Sequence, residues 1–521
     1  MSRTRRYLLP LFFVFLLSSA QAAEKWWVTF RDKGSADRQL ISDSTDWPVD
    51  PTYLSAVAAE VRTITGKSNW LNGAAVVATG AQLDRLRALD CIASLEPMAR
   101  SEHAQKRKRE HAYRSRQQLI ALAKYQTERF RPEPFLQRGY DGRGLRIAVF
   151  DAGFPNVNTH PAFQHLRDRN AIVATHDFVT GKENVYAHHW HGTAVLSCIA
   201  GKMDSVPLGL ASGAEFLLAR TESALGEPFS EEEHWLEAVE WAYAHGANII
   251  SSSLGYTNKR YFNYEMDGRS SLVARAANIA ASKGLLVINA AGNEGTDDWR
   301  FIDTPADADS VLAIGGTEPT LDVHIGFSSY GPSSDGRLKP NLCAPGRVTV
   351  AAGRGYREVQ GTSFSTPLVA GFAACAWQAN REKRNMEVFH LLEQSGSLFP
   401  YYDYAHGYGI PQAQRALGDT ASSPTFDFVV VNDEVKVVLR EQFSYPETER
   451  ELGYAVQRNL YYKISDALGN IRTYTVMTAE NKEALHFYAG DLQNGDAVTV
   501  HFEGYTSSFD IQHDPETTPE K

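Results

Sequence analysis

Cysteine is scarce in this chain: Cys91, Cys198, Cys343 and Cys375 are the only four in 521 residues. That number and spacing exclude a small fold stapled by disulfides. Cys198 and Cys375 lie in apolar, small-residue segments where a thiol packs as a small hydrophobe, and a bridge between these two is the alternative. No apolar run after residue 22 has the length of a membrane-spanning helix. Positive charge is not in excess, since 52 Lys and Arg against 62 Asp and Glu leave a formal net charge of −10. That balance argues against a dedicated nucleic-acid binder. His188, His189 and His191 form a cluster, but no His-Glu-x-x-His accompanies it and no residue is assigned as a metal ligand. No loop matches a calcium-binding consensus, so structural calcium stays open. Internal repeats, heptads and low-complexity tracts are absent as well.

What is present is the composition of a globular protein, 43% hydrophobic, with a length that calls for about two to four domains. Arg3, Arg5 and Arg6 precede the apolar stretch Tyr7 to Leu17 and then Ala20-Gln21-Ala22. This reads as a secretory signal over residues 1–22, sending a mature protein outside the cytoplasm, secreted or periplasmic; an uncleaved anchor is the alternative. Residues 23–99 alternate strand and helix signals: Lys25 to Phe30, Pro51 to Thr63, Ser68 to Thr79, Gln82 to Leu89 and Ile92 to Pro97. They predict a small α+β domain. Residues 100–138 begin with a charged run, Arg100 to Arg116, that includes Lys106-Arg107-Lys108-Arg109. Such a run is a solvated linker open to proteolysis, and processing is expected within Ala99 to Gln118. No aromatic interleaving supports nucleic-acid binding there. Residues 139–420 alternate buried strands with helices, predicting an α/β domain built on a mostly parallel sheet. Residues 421–513 carry short alternating strands, from Phe426 to Val431 through Ala497 to Phe502, and predict an antiparallel β-sandwich. Residues 514–521 form a polar tail.

Three segments of the α/β region carry chemistry. Gly361-Thr362-Ser363 precedes the apolar stretch Leu368 to Trp377, so Ser363 falls at the start of a predicted helix, with Pro367 in its first turn. A helix start offers N–H groups and a positive dipole end to a developing oxyanion. Leu145 to Phe150 reads as a buried strand ending in Asp151-Ala152-Gly153, and His191-Gly192-Thr193 opens another apolar helix. A nucleophilic serine needs a base, and the base needs an orienting acid. Asp, His and Ser occur here in one of the three known chain orders.

These segments resemble the signature segments of the subtilisin-like serine proteases, the subtilase or S8 family. Ala290-Ala291-Gly292-Asn293-Glu294-Gly295 is similar to the family's oxyanion segment, and Ser251 to Gly255 to its substrate-binding edge. Gly407-Tyr408-Gly409-Ile410-Pro411 completes a resemblance running roughly from Tyr140 to Leu417. Ala152 and Phe364-Ser365 depart from the family pattern without touching a reacting atom. The resemblance implies catalytic Asp151, His191 and Ser363, an oxyanion donor in Asn293, and substrate contacts from Ser253, Leu254, Gly255, Ala291 and Gly292. Glu294 is either a border of the pocket for the residue preceding the cleaved bond or a solvated rim carboxylate. It further implies a subtilisin-like fold and a secreted endopeptidase, a monomer acting on protein or peptide substrates through an acyl-enzyme. No cofactor is required, and residues 23–99 act as an inhibitory propeptide. An esterase or amidase on the same triad, or a catalytically silent peptide-binding or adhesion protein, are the alternatives.

Overall fold

A computed structural model describes residues 23–34, 43–98, 114–223, 230–257, 260–419, 421–443, 450–451, 454–455 and 458–512. The signal segment 1–22, the basic run at 106–109 and the tail 514–521 lie outside the described residues.

The chain divides into two compact units. In the first, the strands Thr63–Ser68, Gly73–Ala78, Glu24–Phe30 and Ile92–Pro97 form one sheet in that spatial order. The helices Pro51–Glu60 and Gly80–Arg87 add Val57, Leu83 and Leu86 to a core with Val28, Phe30, Val76 and Ile92. Asp50 caps the first helix by accepting from the Thr52 N–H at 2.7 Å, with Pro51 in the first turn. The helix stops at Glu60, earlier than the apolar pattern suggests, because residues 63–68 pair as a strand with 73–78. Asn72 adopts the left-handed φ of 45° that the tight connection requires.

The second unit is built on seven strands ordered Leu342–Pro345, Val311–Thr317, Leu286–Ala290, Ile249–Ser252, Arg146–Asp151, Glu215–Arg220 and Ile172–Asp177. Every neighbouring pair is parallel. Runs such as Ile147-Ala148-Val149-Phe150 are buried on both faces, as a helix-covered parallel sheet demands. The strand order reverses beside Arg146–Asp151, and at such a point the carboxyl ends of neighbouring strands open into a crevice. The helix Thr362–Ala379 is buried along almost its whole length and packs against the helix His191–Ala200. It begins at Thr362, so Pro367 stands in its second turn rather than its first. Within 100–138, residues Arg116–Glu128 and Glu133–Arg138 are helical. Ser115 and Gln118 form a capping box at the head of the first, and Gln126 binds Leu208 O at 2.8 Å and the Thr349 N–H at 2.8 Å.

At the C-terminal end, Phe426–Val431, Glu434–Leu439 and Glu483–Tyr488 form one antiparallel sheet, and Ile471–Thr478, Asn459–Ser465, Ala497–Phe502 and Tyr505–Asp510 a second. Inward-facing Phe426, Val437 and Leu439 of one meet Leu460, Val498, Val500 and Phe502 of the other in a common core. All four cysteines are free thiols, with Cys198 and Cys375 buried and unbridged.

Candidate active site

Asp151 ends its strand fully buried, and its carboxylate accepts the Ala152 N–H at 2.7 Å. His191 opens its helix with Nδ1 at 3.0 and 2.9 Å from the two Asp151 oxygens. The next residue has to be glycine: a Cβ at Gly192 would stand 2.4 Å from Gly153 O and 2.9 Å from Asp151 Cβ. Helix and strand approach this closely only where no side chain intervenes. A proton on Nδ1 directed at the carboxylate leaves Nε2 as the basic nitrogen. Nε2 has no hydrogen-bond partner among the described residues.

The turn behind Asp151 is held by a buried ion pair. Arg220 Nε donates to Ala152 O at 3.3 Å, and its Nη1 lies 3.0 and 2.9 Å from the Asp177 oxygens. Burial pushes the Asp177 carboxyl up, but hydrogen bonds from Thr180 and Arg220 outweigh that and hold it below the usual carboxylate range. His188 Nε2 stands 3.4 Å from the same carboxylate. Among the described residues no three His, Cys, Asp or Glu side chains gather as a metal would require.

Ser363 sits in the first turn of its helix, where N–H groups have no intrahelical acceptor. Phe364, beside it, brings its ring centroid to 5.2 Å from that of His191. The Ser363 hydroxyl donates to Ser253 O at 3.4 Å, and among the described residues it makes no hydrogen bond to His191. The Ser253 hydroxyl donates in return to Ser363 O at 2.8 Å. Pro367, four residues on, has no N–H to offer that carbonyl.

Asn293 follows the strand Leu286–Ala290. Its Oδ1 accepts the Thr362 N–H at 2.9 Å and the Thr362 hydroxyl at 3.3 Å. The amide orientation is thereby set, and Nδ2 is left as a donor beside the first turn of the serine helix. The Asn293 N–H donates to Glu294 Oε2 at 2.5 Å.

The two segments read as substrate walls behave differently. Ser253 and Leu254 are buried, Gly255 is exposed, and Leu254 O accepts Asn289 Nδ2 at 2.8 Å. Ala291 is buried with its N–H on Ile314 O and its C=O on the Asp303 N–H, both at 3.0 Å. Gly292 O accepts the Ser329 N–H and the Thr362 hydroxyl, each at 3.1 Å. Thr362, Ser329 and Asp303 thus hold the backbone of the candidate site. Thr362 lies inside a motif, but nothing in the local pattern around Asp303 or Ser329 marks them.

A model of the subtilase family matches residues 142–418, and a model of the peptidase S8 propeptide domain, Bacteroidota, matches residues 32–114. Subtilisin Savinase of Lederbergia lenta is 30% identical over 283 residues, covering 54% of this chain and 93% of that protein. An alkaline protease of Alkalihalobacillus alcalophilus is 30% identical over 283 residues, 54% of this chain and 66% of the relative. In structure, the epidermin leader peptide processing serine protease of Staphylococcus aureus superposes with a TM-score of 0.55 at 16% identity, over 78% of this chain and all of that one, a likeness of fold.

Proposed function

From the premise that this chain belongs to the subtilase family of serine endopeptidases and carries an S8 propeptide domain, we propose that Asp151, His191 and Ser363 form its catalytic triad, with Asn293 as oxyanion donor. The observation that carries this reading is the buried Asp151 carboxylate on His191 Nδ1 at 2.9 and 3.0 Å, with Nε2 left basic. The Ser363 hydroxyl turns about its Cα–Cβ bond from Ser253 O toward Nε2. Its oxygen attacks the scissile carbonyl carbon, and its proton passes to His191. Negative charge gathers on the former carbonyl oxygen, facing Asn293 Nδ2 and the Ser363 N–H. As the C–N bond breaks, His191 returns the proton to the leaving amine. Water, deprotonated by His191, then attacks the acyl carbon and restores Ser363. Asp151, fully buried behind the imidazole, stabilises the imidazolium and is not itself a proton carrier in the reaction.

Gly255 offers an exposed backbone edge at which an extended peptide adds as a strand, which favours peptides over small esters. The signal-like segment 1–22 assigns the enzyme to the secreted or periplasmic space, and residues 23–99 act as its own inhibitor until the stretch that follows is cut. Among the described residues no helix is long and apolar enough to cross a membrane. The test is labelling by a serine-directed fluorophosphonate with casein digestion, alongside Ser363→Ala. Label and digestion lost together in the variant support the reading; a processed parent protein that takes no label and leaves casein intact overturns it.

A further inference from the structure

Asn293 lies between two backbone ties to one neighbouring segment, residues 323–329. Before it, Gly292 O accepts the Ser329 N–H at 3.1 Å, and after it the Gly295 N–H donates to Phe327 O at 2.9 Å. The Asn293 N–H is reached as well, through Glu294, whose Oε2 accepts that N–H at 2.5 Å and the Ser329 hydroxyl at 3.2 Å. Glu294 is therefore a half-buried, committed group and no solvated rim carboxylate. Thr362 sets which way the Asn293 amide faces, but residues 323–329 set where its backbone stands.

That segment is fastened at its entry. The His324 N–H donates to His406 Nε2 at 2.8 Å, and His324 Nε2 lies 2.9 Å from Ser328 O. His406 presents a lone pair on Nε2 because its Nδ1 faces the buried Asp403 carboxylate at 2.9 Å. Immediately upstream, Asp322 takes a left-handed φ of 55°, uncommon for a residue with a side chain. Arg129 Nε stands 3.2 Å from the Asp322 carboxylate, and the rest of the support comes from the C-terminal sandwich. From its strand Asn459–Ser465, the Tyr461 hydroxyl donates to Asp322 O at 3.2 Å and Asn459 Nδ2 to Leu321 O at 2.5 Å. The Tyr461 ring also meets the His406 ring edge-on, with centroids 5.3 Å apart. One buried side chain of the sandwich thus touches both groups that fix His324.

We propose that Tyr461, seconded by Asn459, is a positioning residue for the oxyanion donor Asn293, so that the C-terminal sandwich is a working part of the catalytic site. This rests on the protease reading of the same site. An oxyanion donor acts only if it already stands where the charge will appear. When the turn at 321–322 loosens or the His406 ring tips, His324 releases residues 323–329, and Asn293 Nδ2 drifts from that place. The substrate walls keep their own bonds, Leu254 O to Asn289 Nδ2 and Ala291 to Ile314 and Asp303. The loss therefore falls on the transition state and spares substrate binding.

The test uses enzyme matured from the full chain, carrying Tyr461→Phe or Asn459→Ala, each alone and combined with Asn293→Ala. One peptide substrate and its boronic acid analogue serve as probes, and titration with a fluorophosphonate counts formed active sites, so that misfolded protein does not enter kcat. Each single variant should lose about 3- to 30-fold in kcat with KM little moved, and boronic acid affinity should fall by the same factor. Once Asn293→Ala is present, neither substitution should lower kcat further. An unchanged kcat in both variants, or the same factor lost again in the Asn293→Ala background, reduces the contact to packing and overturns the proposal while the protease reading stands. Full turnover in Asn293→Ala alone removes the oxyanion assignment and this proposal together. A parent protein that takes no label and cuts no peptide removes the protease reading itself.

Discussion

The hydroxyl of Ser253 donates to the carbonyl of Ser363 at 2.8 Å, and it does so because Pro367 cannot. In an uninterrupted helix the N–H of residue 367 would bind that carbonyl. The proline removes the donor, and a residue from the neighbouring strand end replaces it, locking the backbone of the proposed nucleophile to a proposed substrate wall.

Ser253→Ala should therefore cost about 1–3 kcal/mol of stability by leaving that carbonyl unpaired. Chemical denaturation in a Ser363→Ala background, which prevents self-digestion, measures it. Adding Pro367→Ala returns an N–H to the carbonyl and should recover part of the loss. A Ser253→Ala variant as stable as its parent would show that the link carries no energy.

Asp151→Asn should lower kcat by about 10⁴-fold, because His191 loses the acceptor that keeps its proton on Nδ1. Asn293→Ala should lower kcat by about 10²–10³-fold with little change in KM, a magnitude carried over from subtilisin's own asparagine. Steady-state kinetics on one peptide separate the two effects. A large rise in KM with kcat retained would assign Asn293 to ground-state binding instead.

Gly192→Ala should abolish turnover although only a methyl group is added. The new Cβ has nowhere to go against Gly153 O and Asp151 Cβ, so His191 or Asp151 must shift. Loss of activity accompanied by retained circular dichroism supports this; full activity would mean the contact relaxes at no cost.

Acid should destabilise the fold. Burial lowers His165 and His324 to about 4 and His501 to about 3, from 6.5. As pH falls below about 6.5 the unfolded chain takes up these protons and the folded chain does not, so stability present above that pH is lost toward about 4. Asp307, raised by burial to about 6, works in the opposite direction between about 6 and 3.8, as do the carboxyls of Glu232 and Glu294, also raised by burial, whereas His160, lowered by burial, and Asp177 and Asp403, held below the usual carboxylate range by their hydrogen bonds and ion pairs, act with the three histidines. The Tm of Ser363→Ala protein should fall from pH 7 to pH 4.5. A flat or rising profile contradicts the buried neutral histidines.

The residues of the proposed triad could be named from the chain alone because each sits in a short motif whose composition is demanded locally. Asp151 ends a buried strand, while His191 and Ser363 each open an apolar helix, and small residues surround all three. The alternating sandwich strands were readable for a similar reason, since inward and outward positions follow a two-residue period. What distance along the chain conceals is different in kind. Pairing of 63–68 with 73–78 overrode the apolar periodicity that extended the first helix to residue 63.

Sequence by itself determined the residue types, their order, and the sheet-and-helix alternation that delivers them to strand ends, because these follow from local burial patterns and backbone preference. Only the tertiary structure decided that Ser253 would replace the donor missing at Pro367, that Thr362 would orient Asn293, and that Asp303 would stand between Gly255 and Gly292. Each of those depends on through-space packing between segments tens of residues apart, for which no local signal exists.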